Sequence, residues 1–140
     1  MIDADLVAKN LAIGSAPPEG IELAKKGVSL LVLTAKEHQP PASHFPNVKV
    51  IHAPFVDQFF DPLSKGTLKK LDKVADKVAE TMKDGGMVLI ACRAGKNRSG
   101  LLAGLALRKL GVSGKEAVQA IQKNRPGALS NPRFRKLIES

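Results

Sequence analysis

The chain has 140 residues, of which 44% are hydrophobic, so it is long enough for one domain with a buried core, which we expect to span 1–140. No apolar run is long enough to cross a membrane and the N-terminus lacks a basic-then-apolar signal, which predicts a cytoplasmic protein. The only cysteine excludes an internal disulfide and suits a reducing compartment. The formal net charge of +9 predicts a surface that attracts polyanions.

The N-terminal half predicts four strands, a short helix at 21–26 and an irregular loop. The strands are expected at 5–10, 11–14, 28–34 and 48–56. The loop at 35–48 contains three prolines and two histidines, His38 and His44. Because these histidines have no cysteine partner, we expect them to be exposed loop residues and not metal ligands.

The C-terminal half predicts one further strand and four helices. Apolar residues at helical spacing predict a long helix over 68–82, which a Gly-Gly pair ends. A strand over 87–91 follows, and after a Gly-containing loop the chain continues as an apolar helix. A capping box that begins at Ser113 and an Asn-Pro pair at the start of 132–139 predict the last two helices.

Strands that alternate with helices predict an α/β fold, with a central, mostly parallel five-stranded sheet flanked by helices. The ligand sites of such sheets lie at the carboxyl ends of the strands. Cys92 directly follows the strand at 87–91, and Asp57 directly follows the strand at 48–56. The sequence therefore predicts a site that contains both side chains.

The segment from Cys92 to Arg98 has the chemistry of an anion site. The first N–H groups of the following helix have no partner within the helix, and the helix dipole adds about half a positive charge there. Gly95 allows the loop to turn further N–H groups inward, and Arg98 offers a planar fork to two phosphate oxygens. The same field stabilises a thiolate at Cys92. No metal is required, because these donors carry the anion.

The spacing of Cys92, Gly95, Arg98, Ser99 and Gly100, between an apolar strand and an apolar helix, resembles the phosphate loop of the cysteine-dependent phosphatases. The chain resembles the dual-specificity and protein tyrosine phosphatases over nearly its whole length. Further segments that carry this resemblance lie at 11–15, 27–33, 57–64, 113–117, 125–126 and 131–134. The resemblance implies a compact catalytic domain with a strand, a phosphate loop and a helix at its centre.

The resemblance also implies a phosphomonoester hydrolase that forms a phosphocysteine intermediate and needs no cofactor. Cys92 is the expected nucleophile, Arg98 the phosphate clamp, and Ser99 a donor to the sulfur as it leaves. Asp57, which stands 35 residues before the cysteine, is the expected general acid, with Asp61 as the alternative. The phosphate-binding residues are expected to be Arg93, Ala94, Gly95, Lys96, Asn97 and Arg98.

Two features bear on the substrate and on activity. Ala91 occupies the position where the family usually has a histidine that orders the loop, which leaves open a non-catalytic phosphate-binding module. Arg93 and Lys96 resemble the loops of phosphatases that act on phosphoinositides, and they favour a substrate with more than one phosphate. We therefore expect a monomeric phosphatase of phosphorylated proteins, or alternatively of anionic lipids such as phosphoinositides or of RNA 5′-phosphates.

The acid loop contains two adjacent aromatic residues, Phe59 and Phe60. Because the chain has no tyrosine or tryptophan, these phenylalanines are the candidates to line the entrance of the site. We expect one of them to lie in the core and the other at the rim.

Overall fold

The structure is a computed structural model that describes residues 2–140. Its centre is a five-stranded sheet with the strand order β1-β2-β5-β3-β4, in which β1 and β2 are antiparallel and the other neighbours are parallel. The strands are β1 (Ala4–Ala8), β2 (Leu11–Gly14), β3 (Val28–Ala35), β4 (Lys49–Phe55) and β5 (Met87–Ala91). The predicted α/β class and mostly parallel sheet are confirmed.

Among residues 2–140, five α-helices accompany the sheet, and three of them begin with side-chain caps. Ser64, Ser113 and Asn131 each accept a hydrogen bond from a backbone N–H in the first turn of their helix. The helices are α1 (Glu22–Lys25), α2 (Lys65–Lys83), α3 (Arg98–Lys109), α4 (Gly114–Asn124) and α5 (Pro132–Glu139). The caps that the sequence predicts at 113 and 131 are therefore present.

The hydrophobic core is divided by the sheet into a larger and a smaller part. The larger part contains the apolar faces of α2, α3, α4 and α5, and the tilted pair Phe55 and Phe134 lies in it with ring centroids 6.0 Å apart. The smaller part, on the other face, is closed by Leu23 of α1 and by Phe45. Helix α3, which follows the cysteine loop, is buried along most of its length and so gives this loop a rigid support.

The parallel strands β3, β4 and β5 end side by side. Leu33 is paired with Ala91 and Ala35 with Phe55, so the loops after all three strands leave the sheet at one edge. These loops carry Glu37, Asp57 and Cys92 respectively. The register thus brings together residues that are far apart in sequence.

The loop between β3 and β4 is irregular, as predicted, apart from a short 3₁₀ turn at Ala42–His44. His44 is exposed and its Nδ1 lies 2.7 Å from a carboxylate oxygen of Glu19, whereas His38 is half-buried. Within residues 2–140, no group of three or more His, Cys, Asp or Glu side chains is arranged to hold a metal ion. In the same residues, every helix is too short or too polar to span a membrane.

Candidate active site

Cys92 lies at the end of β5 with its sulfur turned toward the loop that follows. The Gly95 N–H donates to Sγ at 3.2 Å, and Ser99 Oγ lies 3.3 Å from the same sulfur. The backbone N–H of Cys92 donates to the carbonyl of Gly14 at 3.1 Å, which fixes the loop to the end of β2. The side chain is 4% exposed, and it lines an open cleft of about 440 Å³. The Gly95 N–H is thus directed at the sulfur, where a donor stabilises negative charge.

Gly95 is required at its position for two reasons. Its φ of +70° lies in the left-handed region, which side chains disfavour. A Cβ built on it would also lie 2.2 Å from the carbonyl carbon of Gly14. The loop therefore closes around the sulfur because residue 95 has no Cβ and its backbone packs directly against that of Gly14.

Arg98 begins α3 and its guanidinium is tied to a carboxylate from the neighbouring strand end. Nη1 donates to Glu37 Oε1 at 2.7 Å and Nη2 to Glu37 Oε2 at 2.8 Å, while Nη1 also donates to the Phe55 carbonyl at 3.2 Å. The hydrogen bonds from Arg98 are the main cause that lowers the pKa of Glu37 to about 2. The same contact raises the pKa of Arg98.

The contact with Glu37 leaves one edge of the Arg98 guanidinium available. Among residues 2–140, no acceptor lies on Nε or on the second hydrogen of Nη2. These two N–H groups form the side fork of the guanidinium, which suits two oxygens of one phosphate group. Arg98 lines the same cleft as Cys92. The arrangement can therefore bind a phosphoryl group at the sulfur.

Asp57 is held at the cleft by two side-chain amides. Asn131 Nδ2 donates to Oδ1 at 2.9 Å, and Asn97 Nδ2 donates to Oδ2 at 2.9 Å. The carboxylate lines the cleft together with Cys92, whereas Asp61 lines a separate apolar cavity near α5. Of the two candidates for the acid, the structure therefore places Asp57, and not Asp61, on the cleft that contains Cys92.

The remaining residues of the predicted phosphate loop differ in where their side chains lie. Arg93, Ala94 and Lys96 are exposed and line the cleft. The side chain of Asn97 is turned to the acid loop, where it donates to Asp57 and to Ser130 Oγ. Asn97 can therefore bind phosphate through its backbone N–H but not through its side chain.

The expectation that one phenylalanine of the acid loop is buried is wrong, because both are exposed. Phe59 is 47% exposed and Phe60 is 89% exposed. Arg133 accounts for this, because its guanidinium binds both of their carbonyl oxygens, at 2.7 and 2.9 Å. The core position beside the loop is filled by Phe55 and Phe134 instead.

Ala91, where the family usually has histidine, is buried in the smaller part of the core. Its backbone carbonyl accepts a hydrogen bond from Thr34 Oγ1 of β3 at 2.9 Å. The last residue of β5 is therefore fixed through its backbone by a neighbouring strand.

Sequence reasoning missed the partners that orient the site. Glu37 stands two residues after β3, and the rule that ligand sites lie at the ends of parallel strands was sufficient to single it out. Asn131 was identified as a helix cap, which it is, but its amide also holds Asp57. That second contact joins residues 74 apart, and no local pattern indicates it.

The site therefore combines, on one cleft, a cysteine whose sulfur accepts a backbone hydrogen bond with an arginine and an aspartate, which is the arrangement of a cysteine-dependent phosphatase. Residues 16–140 match the family model described as dual specificity phosphatase, catalytic domain. The chain belongs to the dual-specificity phosphatase family, which confirms the predicted resemblance. It is a cysteine-dependent phosphatase, and phosphorylated proteins in general are the substrates of this class.

Individual relatives agree with this assignment. The chain is 31% identical over 131 residues to Homo sapiens dual specificity phosphatase 28, covering 91% of this chain and 71% of that protein. A crystal structure of human DUSP28 has a TM-score of 0.80 at 29% identity, covering 97% of this chain and 90% of that one. A mouse putative dual specificity phosphatase complexed with zinc tungstate has a TM-score of 0.82 at 27% identity, covering 99% and 86%.

The pairing of Glu37 with Arg98 predicts a pH-dependent contribution to stability. Because the folded-state pKa of Glu37 is about 2, below its ordinary value of 4.5, the stabilisation is complete above pH 4.5 and is lost as the pH falls from there toward 2. Since the Glu37 side chain is 43% exposed, we expect only about 1 kcal/mol. Urea unfolding of Glu37→Gln and wild type between pH 7 and pH 3 measures this difference.

The matched control for this prediction is Glu80→Gln. Glu80 is 66% exposed and lies 3.9 Å from a single lysine, so its removal is expected to change stability little at any pH. A stability difference for Glu37→Gln that stays constant from pH 7 to pH 3 contradicts the prediction.

Proposed function

We propose that this chain hydrolyses phosphate monoesters on phosphorylated proteins through a phosphocysteine intermediate, with Cys92, Arg98, Asp57 and Ser99 as the catalytic residues. One observation carries the proposal. The sulfur of Cys92, held by the Gly95 N–H and lying beside Ser99 Oγ, opens on the same cleft as Arg98 and Asp57. Nucleophile, phosphate clamp and acid thus surround one volume of about 440 Å³.

In the first step, the Cys92 thiolate attacks phosphorus and the bond from phosphorus to the ester oxygen breaks. Protonated Asp57 gives its proton to that leaving oxygen, so that an alcohol or phenol departs and the aspartate is left ionised. The side fork of Arg98 and the loop N–H groups hold the non-bridging phosphate oxygens, on which charge is spread in the transition state.

In the second step, water attacks phosphorus and the sulfur–phosphorus bond breaks. Asp57, now ionised, takes a proton from that water, which returns the acid to its starting state and releases phosphate. The Ser99 hydroxyl, 3.3 Å from the sulfur, donates to Cys92 as the thiolate forms again. All of these groups belong to the protein, so the cycle needs no metal.

The nucleophile is tested by Cys92→Ser. We expect hydrolysis of para-nitrophenyl phosphate, measured with a chelator present, to fall more than about 1,000-fold, because a serine hydroxyl at this site lacks a base to ionise it. Isothermal calorimetry with tungstate checks that the loop still binds an oxyanion in the variant. Turnover that persists in folded Cys92→Ser contradicts the assignment.

The acid is tested by Asp57→Ala against Asp61→Ala. We expect kcat for a phosphotyrosine peptide to fall about 100- to 1,000-fold in Asp57→Ala, and less for an ester with a more acidic leaving group, which departs without a proton. Asp61→Ala, which removes an equal charge four residues away, is expected to leave kcat within about twofold. An equal loss for both esters, or a larger loss in Asp61→Ala, overturns the role of Asp57.

A second candidate substrate carries more than one phosphate, as phosphoinositides and triphosphorylated RNA 5′ ends do. The observation that favours it is the pair of exposed cations, Arg93 and Lys96, on the cleft that holds Cys92. With a net charge of +9, the protein as a whole also attracts such anions. Both cations are free to contact a phosphate next to the one bound by Arg98.

The two substrate classes are separated by Arg93→Ala/Lys96→Ala. For a soluble phosphoinositide with two or more phosphates, kcat/KM is expected to fall about tenfold more than for a phosphotyrosine peptide if the second candidate is right. Lys69→Ala/Lys70→Ala removes the same charge from the exposed face of α2 and serves as the control. An equal loss for both substrates supports a phosphoprotein substrate and excludes a second phosphate site on these cations.

We also infer that residues 1–140 act as a single catalytic domain, that this domain is monomeric, and that it works in the cytoplasm without a metal. One sheet takes strands from residue 4 to residue 91, and the two parts of the core lie on its faces, which supports a single unit. A lone free cysteine in the active site supports a reducing compartment.

A further inference from the structure

Arg125 lies behind the phosphate loop, at the end of α4, and is 6% exposed. A guanidinium has five N–H donors, and here every one of them has an acceptor. Two bonds go to the loop, from Nε to the Gly95 carbonyl at 3.1 Å and from Nη2 to the Ala94 carbonyl at 2.9 Å. Three go to carboxylates, two of them to Asp3 at 2.9 and 3.1 Å and one to Asp5 at 3.1 Å.

The peptide unit between Ala94 and Gly95 connects this guanidinium to the sulfur. In a planar trans peptide, the N–H and the C=O point in opposite directions. The C=O of this unit accepts from Arg125, and its N–H donates to Cys92 Sγ at 3.2 Å. By holding the Ala94 carbonyl, Arg125 thus fixes the direction of the Gly95 N–H, which it does not contact. The positive charge beside the carbonyl also strengthens the hydrogen bond that this N–H donates to the sulfur.

Asp3 directly precedes β1 and Asp5 lies within it. Both residues precede 16–140, the segment that matches the phosphatase family model. The Ser15 N–H donates to the Asp3 carbonyl at 3.0 Å, and a Cβ on Gly14 would lie 2.3 Å from that carbonyl oxygen. Hydrogen bonds from Arg125 and Ser15 also lower the pKa of Asp3. The N-terminal strand is therefore packed against the same glycine backbone on which the phosphate loop closes.

We propose that Arg125, held in place by Asp3 and Asp5, is a positioning residue that keeps the N–H groups of the phosphate loop directed at the sulfur and at the bound phosphate. The two aspartates supply the only carboxylates, within residues 2–140, that hold this guanidinium. Without them, a buried cation loses three of its five hydrogen bonds, and its most favourable alternative is to leave the loop for solvent. An effect of Arg125 on turnover rests on the proposed function, whereas an effect of Arg125 on oxyanion binding does not.

The test is Asp3→Ala/Asp5→Ala, with Asp72→Ala/Asp76→Ala as the matched control. Asp72 and Asp76 also share one cation, Lys109, at 2.7 and 3.1 Å, and are 61% and 58% exposed, compared with 65% and 45% for Asp3 and Asp5. Both double variants therefore remove two partly exposed carboxylates and the same charge. Melting temperature, calorimetric affinity for tungstate and alkylation of Cys92 by iodoacetamide are measured in each.

We expect Asp3→Ala/Asp5→Ala to bind tungstate about tenfold more weakly than wild type. Alkylation of Cys92 is expected to slow, because the N–H donor that stabilises negative charge on the sulfur is misdirected. The control variant is expected to change neither. A lower melting temperature with unchanged tungstate affinity and unchanged alkylation overturns the proposal, since it shows a structural role alone.

If the double variant does not fold, Asp3→Asn is measured in the same way. It keeps the size of the side chain but leaves one acceptor oxygen in place of two, and unchanged tungstate affinity in it overturns the proposal. A wild-type protein that binds tungstate more tightly than the variant, yet hydrolyses no phosphate ester, refutes the proposed function while the positioning role of Arg125 stands.

Discussion

The hydrogen bond from the Gly95 N–H to the sulfur of Cys92 is the contact on which the rest of the site depends. It requires a residue at position 95 that adopts the left-handed conformation and has no Cβ, because a Cβ there would collide with the backbone of Gly14. The carbonyl on the other side of the same peptide is held by Arg125. The Gly95 N–H dipole is thus held in its direction toward the sulfur from the other side of its own peptide.

The sheet brings the remaining groups to this contact. Three parallel strands end in register, and the loops after them present Glu37, Asp57 and Cys92 at one edge. Helix α3 then carries Arg98 and Ser99 back over the same edge, and its burial makes their positions rigid. Strand spacing thus brings the loops together, and hydrogen bonds from Asn97, Asn131 and Arg98 hold the two carboxylates in place.

The sequence predicts the elements and the position of Cys92 at a strand end well, because both depend on local patterns. Runs of apolar residues and helix caps locate the strands and helices. The five residues between Cys92 and Arg98 give the spacing of a phosphate loop. The partners of these residues are non-local. Glu37 is 61 residues from Arg98 and Asp3 is 122 residues from Arg125, and only the completed fold shows which charges meet. The exposed position of Phe60 depends in the same way on Arg133, 73 residues away.

The contact between Glu37 and Arg98 also has a consequence for the thermodynamics of substrate binding. A free arginine side chain loses rotational freedom when it grips a ligand, at a cost of roughly 0.5–1.5 kcal/mol. Here a carboxylate and the Phe55 carbonyl already immobilise the guanidinium, so this entropy is lost during folding. The incoming phosphate therefore binds two N–H groups of Arg98 that are already in position, and more of the interaction energy contributes to affinity.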